Sequence, residues 1–541
     1  MPSNSPLIEP KASSSIGYTL YYGTFVHTPT LEELEICFNT LVGVTSDGEI
    51  DYIHKNYKPE EHDYMTAVQF FISTTNNNDN KDTRNNNNNH NNYNGNNGNG
   101  NYNNGRRNSR NRNRHFDFID YSQDPTKFFV PGFIDTHIHA SQFPNVGIGL
   151  DCPLLDWLND YTFPLENQFT DSNEKKLQFA KNVYSKVINK TLTSGTTCAS
   201  YFTTIDPQTT NLFAELLLEH GQRGFVGKVC MDHNDTYHDY EESFEDCVHS
   251  MNSIINHLDK LNPSDDTLVK PIITPRFAPV CSRKMLNWLG KLSKTHSLPI
   301  QTHISENTKE IELVRDMFPD CEDYATVYDK HNLLSSSTIL AHAIHLTKKE
   351  RKMISKKECS ISHCPTSNTF ISSGEAPVKQ YLYQDKINVS LGTDVSGGFD
   401  SSILAVIKHS ILVSHHLAMK TGRQGDKLSI IDALYMATQG GAKAIGMPDV
   451  LGSFEVGKKF DVQLIDLSSK DSIVDTFEWQ LPLEEEANQR KKSKQMQDLL
   501  GKWIFSGDDR NCVKVWCNGR LVVNKMHYQR DDRWVMVEKD F

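Results

Sequence analysis

Although the chain holds eleven cysteines, it has no Cys-x-x-Cys pair. The scattered positions of Cys37, Cys152, Cys198, Cys230, Cys281 and the others exclude a zinc ribbon. They suit reduced thiols in the cytosol better than a disulfide framework. Positive charge is also scarce: a formal net charge of −12 argues against a nucleic-acid-binding body. No run approaches the 18 or more apolar residues of a membrane span. The start, Met1-Pro2-Ser3-Asn4-Ser5-Pro6, lacks the basic residues and apolar core of a secretion signal. These absences predict a soluble, cytoplasmic chain with no nucleic-acid and no membrane partner. Its 541 residues are enough for one large core with a satellite.

What is present begins with Phe133-Ile134-Asp135-Thr136-His137-Ile138-His139, an apolar, β-branched run that ends on two imidazoles. Residues i and i+2 of a strand point the same way, so His137 and His139 converge. Neutral imidazole is the commonest metal ligand. A lone histidine is usually a surface or core residue, but this pair on one rigid strand end reads as half of a metal site.

From Phe128 to about Gly446 short β-rich runs recur, each followed by a helix-like stretch: Phe133–His139, Gly195–Phe202, Gly224–Asp232, Pro271–Pro279, Pro299–Ile304, Thr338–His342, Cys359–Cys364 and Asn388–Asp394. Alternating strands and helices argue for a parallel sheet. The span they cover matches the roughly 250 residues of a (β/α)8 barrel of TIM type. We place that α/β barrel at 115–448. Strand-like alternation over 18–27 and again near 39–53, with Val462–Ile465, Cys512–Trp516 and Leu521–Val523 near the end, predicts a small β-sandwich built from both termini, 1–75 and 449–541. Residues 76–114 are more than half asparagine; such a tract cannot bury enough apolar surface to offset chain entropy and is expected to be disordered.

Barrel enzymes carry their sites at the C-terminal strand ends. Those ends supply His137 and His139, His303, His342, His363 and Asp394, each after an apolar run. Read this way, the strand ends resemble the amidohydrolase superfamily, and within it the guanine deaminases. The resemblance lies in Pro131–Gln142, Tyr161-Thr162-Phe163-Pro164, Gly227–Asp232, Thr274-Pro275-Arg276-Phe277, His303-Ile304-Ser305-Glu306-Asn307 and Gly392–Gly398.

That resemblance implies one metal ion, zinc, held by His137, His139, His303 and Asp394. Strand 4 has no lysine for a second ion, and Lys228 on strand 3 is read as structural. It implies catalytic roles for Glu306, His342 and Asp394. Glu306 is the proton shuttle, and His342 steadies the attacking oxygen. Substrate contacts fall to His139, Gln142, Arg276, Phe277, His303, Glu306 and Asp394, while Trp157 and Phe163 are candidate pocket walls and His363 a buried supporting residue. The implied reaction takes guanine and water to xanthine and ammonia, a step of guanine catabolism, in a homodimer. The alternative keeps the site and changes the substrate, to another aminopurine, a pterin or a triazine.

Overall fold

A computed structural model describes residues 17–59, 66–67, 115–149, 151–170, 173–261, 267–482 and 488–525. The asparagine-rich tract, and with it the expectation of disorder, lies outside the described residues. So does the N-terminal segment 1–16. No helix among the described residues is long and apolar enough to cross a membrane.

Among the described residues eighteen strands follow one another: β1 Gly17–Thr30, β2 Glu33–Thr45, β3 Ile50–His54, β4 His115–Asp120, β5 Lys127–Pro131, β6 Phe133–His139, β7 Thr196–Phe202, β8 Arg223–Gly227, β9 Val229–Cys230, β10 Val269–Pro271, β11 Thr274–Pro275, β12 Ile300–Ile304, β13 Thr338–His342, β14 Ser360–His363, β15 Asn388–Leu391, β16 Val462–Asp466, β17 Cys512–Cys517 and β18 Arg520–Asn524. Parallel pairing joins β6 to β7, β7 to β8 and β8 to β10. It also joins β9 to β11, and β12 through β13 and β14 to β15. Two sets of backbone bonds close the ring. Ile273 and Gln301 link strand 4 to strand 5 at 2.9 Å, and Asp394 N donates to His137 O at 2.8 Å across the seam from strand 8 to strand 1. The expected eight-stranded barrel is therefore present.

Its third and fourth strands are each broken in two. In the fourth, Pro271 and Pro275 offer no ladder N–H, and the chain past Arg276 turns into a 3₁₀ segment at Ala278–Val280 rather than remaining extended to Pro279. Helices pack outside. The one over Pro207–His220 shows how its sequence defines it: Asp206 caps the N-terminus by accepting from Thr209 N, Pro207 occupies the first turn, and Gly221 ends it in the left-handed region. Phe213, Ala214, Leu216 and Leu217 form its buried face.

Both ends of the chain meet in the second unit. Hydrogen bonds link its strands in the order β18-β17-β16-β5-β1-β2-β3, with β4 parallel to β1. Its core gathers Tyr21, Phe25, Phe129, Phe460 and Trp516; Phe25 stacks on Phe129 with ring centroids 4.5 Å apart. The boundary expected at 115 moves: β4 and β5 pair with β1 and belong to this sheet, and the barrel starts at Phe133. Gly132 makes the crossing possible. A Cβ there would lie 2.2 Å from Thr197 Oγ1. At the other end 449–541 is not wholly sheet, since the helix Gln489–Ser506 lays Trp503 flat on Phe133 of the barrel, 5.9 Å between centroids.

Candidate active site

Strand β6 is buried along its whole length and delivers its two imidazoles as its period requires. Asp135, on the same strand, ties the ends of strands 1 and 8 together: its carboxylate accepts from His137 N, Thr393 N and Thr393 Oγ1. Strand 5 brings His303, strand 6 His342, and the turn after strand 8 Asp394. Nε2 of His137 and of His139 lie 3.2 and 3.3 Å from Asp394 Oδ1. His303 Nε2 is 3.3 Å from His139 Nε2. Ligand atoms of His137, His303, His342 and Asp394 all lie within 4.8 Å of one another.

The structure thus brings together all four ligands expected from the sequence, with His342 as a fifth donor in the same cluster. Two rings are tuned to present a lone pair inward. His303 Nδ1 bonds the carbonyl of Arg276 at 2.6 Å, and His342 Nδ1 bonds Asn368 Oδ1 at 2.8 Å. Each Nδ1 is then the donor, which leaves Nε2 free to ligate. Burial, against the pull of Asp394, lowers the pKa of His137 to about 4. Burial and the neighbouring imidazoles hold His303 well below its ordinary value. The carboxyl of Asp394 sits far below the usual range because His137 and His139 outweigh its burial.

Imidazoles held neutral at His137 and His303 beside an ionised Asp394 fit a divalent cation. The buried Nε2 atoms of His137 and His342 have no hydrogen-bond partner, which would be costly without an ion to face. His137, His139, His303, His342 and Asp394 are the residues that can hold it. Backbone strain concentrates here as well: Ser305, His342, Ala343 and Asp394 all have φ between 47° and 68°, a left-handed conformation that non-glycine residues reach at a cost and that gathers at functional sites.

Beside the cluster lies a cavity whose lining includes His139, Gln142, Arg276, Phe277, His303, Glu306, His342 and Asp394. Every expected substrate contact is on that wall. Trp157 lines it too, whereas Phe163 lies beneath Arg276, 5.1 Å from guanidinium to ring centroid. Glu306 follows strand 5 and is nearly fully buried. Its Oε2 is 3.5 Å from His342 Nε2, and Oε1 has no partner. Burial first, then Asp394 and Glu310, push its pKa well above the ordinary value. His363 is buried, its pKa lowered by burial to about 3. Lys228 is engaged by Glu242 and by the carbonyl of Val229, the structural role expected of it.

Two residues escaped sequence reasoning, Asn368 behind His342 and Glu166 behind Arg276. Glu166 is fully buried and accepts from Arg276 Nη1 at 2.6 Å, from Arg276 Nη2 at 3.2 Å and from Gln142 Nε2 at 2.8 Å. Its carboxyl is held low by Arg276 in spite of burial. The Tyr161-Thr162-Phe163-Pro164 run stops two residues short of it.

The amidohydrolase family model matches residues 128–522. A probable guanine deaminase of Schizosaccharomyces pombe is 40% identical over 507 residues, 93% of this chain and 83% of that protein. The guanine deaminase of Homo sapiens is 39% identical over 397 residues, 73% of this chain and 83% of that protein. Among solved structures, guanine deaminase from C. acetobutylicum with bound guanine superposes with a TM-score of 0.72 at 31% identity, over 93% of this chain and 99% of that one.

Proposed function

The chain belongs to the amidohydrolase family, and we infer that it deaminates guanine by hydrolysis, releasing xanthine and ammonia. The observation that carries this reading is the cluster of His137, His303, His342 and Asp394, with His139 against Asp394 and His303, beside a cavity walled by Arg276, Gln142 and Phe277. Its relatives and a structural neighbour with guanine in its active site point the same way.

We propose zinc as the ion, one per chain, since three imidazoles and a carboxylate with a position left over suit it. When bound, it supplies the Lewis acidity that lets water attack near neutral pH. The protein's own groups do the rest. Asp394, ionised, takes a proton from the incoming water. Glu306, held protonated, donates to the ring nitrogen beside C2 and recovers a proton from the oxygen that has added there, while the proton held by Asp394 passes to the amine, which departs as ammonia as the C2–N bond breaks. His342 hydrogen-bonds the oxygen that adds to C2. Arg276 and Gln142 read the purine edge through fixed N–H donors, and Phe277 packs against the base. By family resemblance the enzyme acts as a homodimer. Its eleven free thiols favour a reducing, cytoplasmic setting.

The test joins metal content to turnover. Purified protein should carry about one zinc per chain and convert guanine to xanthine, followed by ultraviolet absorbance. A chelator should abolish the rate and zinc restore it. Glu306→Gln should retain metal while losing on the order of 10²–10⁴-fold in kcat. Faster turnover of a pterin, a triazine or another aminopurine would move the substrate assignment, and full activity in Glu306→Gln would remove the shuttle.

A further inference from the structure

A carboxylate fully buried in a barrel enzyme needs strong partners, because an unpaired buried charge is costly. Glu166 has them, and they are two groups of the cavity wall. We propose that Glu166 is the positioning residue that fixes Arg276 and Gln142 as a rigid reader of the oxygen-bearing edge of the purine, and so sets preference for a 6-oxopurine over one without that oxygen. This rests on the deaminase reading above.

The geometry specifies what each group has left. Glu166 takes one N–H from each terminal nitrogen of Arg276, at 2.6 and 3.2 Å, a two-point grip that holds the guanidinium plane. Phe163 supports that plane from one side. The remaining N–H groups of the fork are available to an acceptor in the cavity. Gln142 is pinned at both ends: its Nε2 donates to Glu166, and its Oε1 accepts from Ser396 N at 3.4 Å. The amide cannot flip without breaking both bonds, so it keeps one N–H to offer. Both readers thus present donors, and a purine edge bearing a carbonyl oxygen is the complement to them. A purine lacking that oxygen leaves buried donors unpaired, the situation in which hydrogen-bonding sites discriminate best.

Glu166 touches no reacting atom, so its loss should appear in recognition rather than chemistry. The experiment compares wild type with Glu166→Gln, using guanine kinetics, binding of fluorescent 2-aminopurine, which lacks the C6 oxygen, and zinc content. Expected in Glu166→Gln are normal zinc, a loss of about 100-fold in kcat/KM for guanine carried mainly by KM, and a much smaller change in 2-aminopurine affinity. Equal losses for both purines, or an unchanged guanine KM, would overturn the proposal. Should Glu166→Gln not fold, Glu166→Asp keeps Arg276 and the buried charge but draws the carboxylate back from its two-point grip. A raised guanine KM with 2-aminopurine affinity little changed supports the proposal, and an unchanged guanine KM overturns it. A wild-type enzyme inactive on guanine would instead sink the deaminase reading itself.

Discussion

His137 shows how one side chain couples the metal site to stability. Burial depresses its pKa to about 4 against an ordinary value of 6.5. Between those two pH values the unfolded chain binds a proton that the folded one refuses, so stability falls as pH falls through that window. The shift corresponds to about 3 kcal/mol. Metal-free protein should therefore show a melting temperature that is flat above pH 7 and declines steadily from pH 6.5 toward 4, measured by scanning calorimetry in low-salt buffer. A flat profile down to pH 4.5 would mean that the imidazole is not held neutral by its surroundings. The residues with this property were legible beforehand because each ends an apolar strand run, where period-2 alternation fixes direction. Glu166 was not. It lies on a four-residue helix, Phe163–Glu166, with no periodicity to read, and meets Arg276 across 110 positions. Asn368, which orients His342, is hidden for the same reason: only the closed barrel brings the two together.

Strand ends carry the site, so the elements must approach closely where strands 8 and 1 meet. Gly392 sits on that seam. A Cβ there would fall 2.6 Å from Ser362 Oγ, 2.7 Å from His137 Cβ and 2.9 Å from Cys364 Sγ. None of these is the far end of a flexible chain, so the backbone would have to shift, and His137 with it. Gly392→Ala should cost about 1–3 kcal/mol in denaturant unfolding and weaken zinc binding in a competition titration. Unchanged zinc affinity would indicate that the seam has more slack than its contacts imply. Element boundaries show where sequence patterns stop informing. The eight barrel strands are recognisable as apolar runs, yet β4 and β5 leave the barrel for the terminal sheet, because pairing with β1 is a long-range choice that no local propensity records. Likewise Trp503, on a helix near the C-terminus, seals the start of β6 through a stacking contact visible only in three dimensions.

At the scale of the whole molecule, the chain leaves the small sheet after β3 and returns to it at β4, with the asparagine-rich residues 76–114 in between. Both flanking strands are in the terminal sheet, and every residue lining the cavity lies between His139 and Gly397. The donor cluster is built from barrel strand ends, whose positions are set by the closed ring of backbone bonds rather than by that connection. Replacing 76–114 with nothing shortens the link between β3 and β4 by about two thirds, and loop-closure entropy varies so slowly with length that the change in stability is about 1 kcal/mol, in the stabilising direction. The shortened protein should retain its metal content, its guanine KM and its kcat, as read by the same absorbance assay, and should melt no lower than the full chain. A large fall in kcat with metal retained would assign the tract a part in turnover and overturn the view that the barrel rim holds all that the reaction requires.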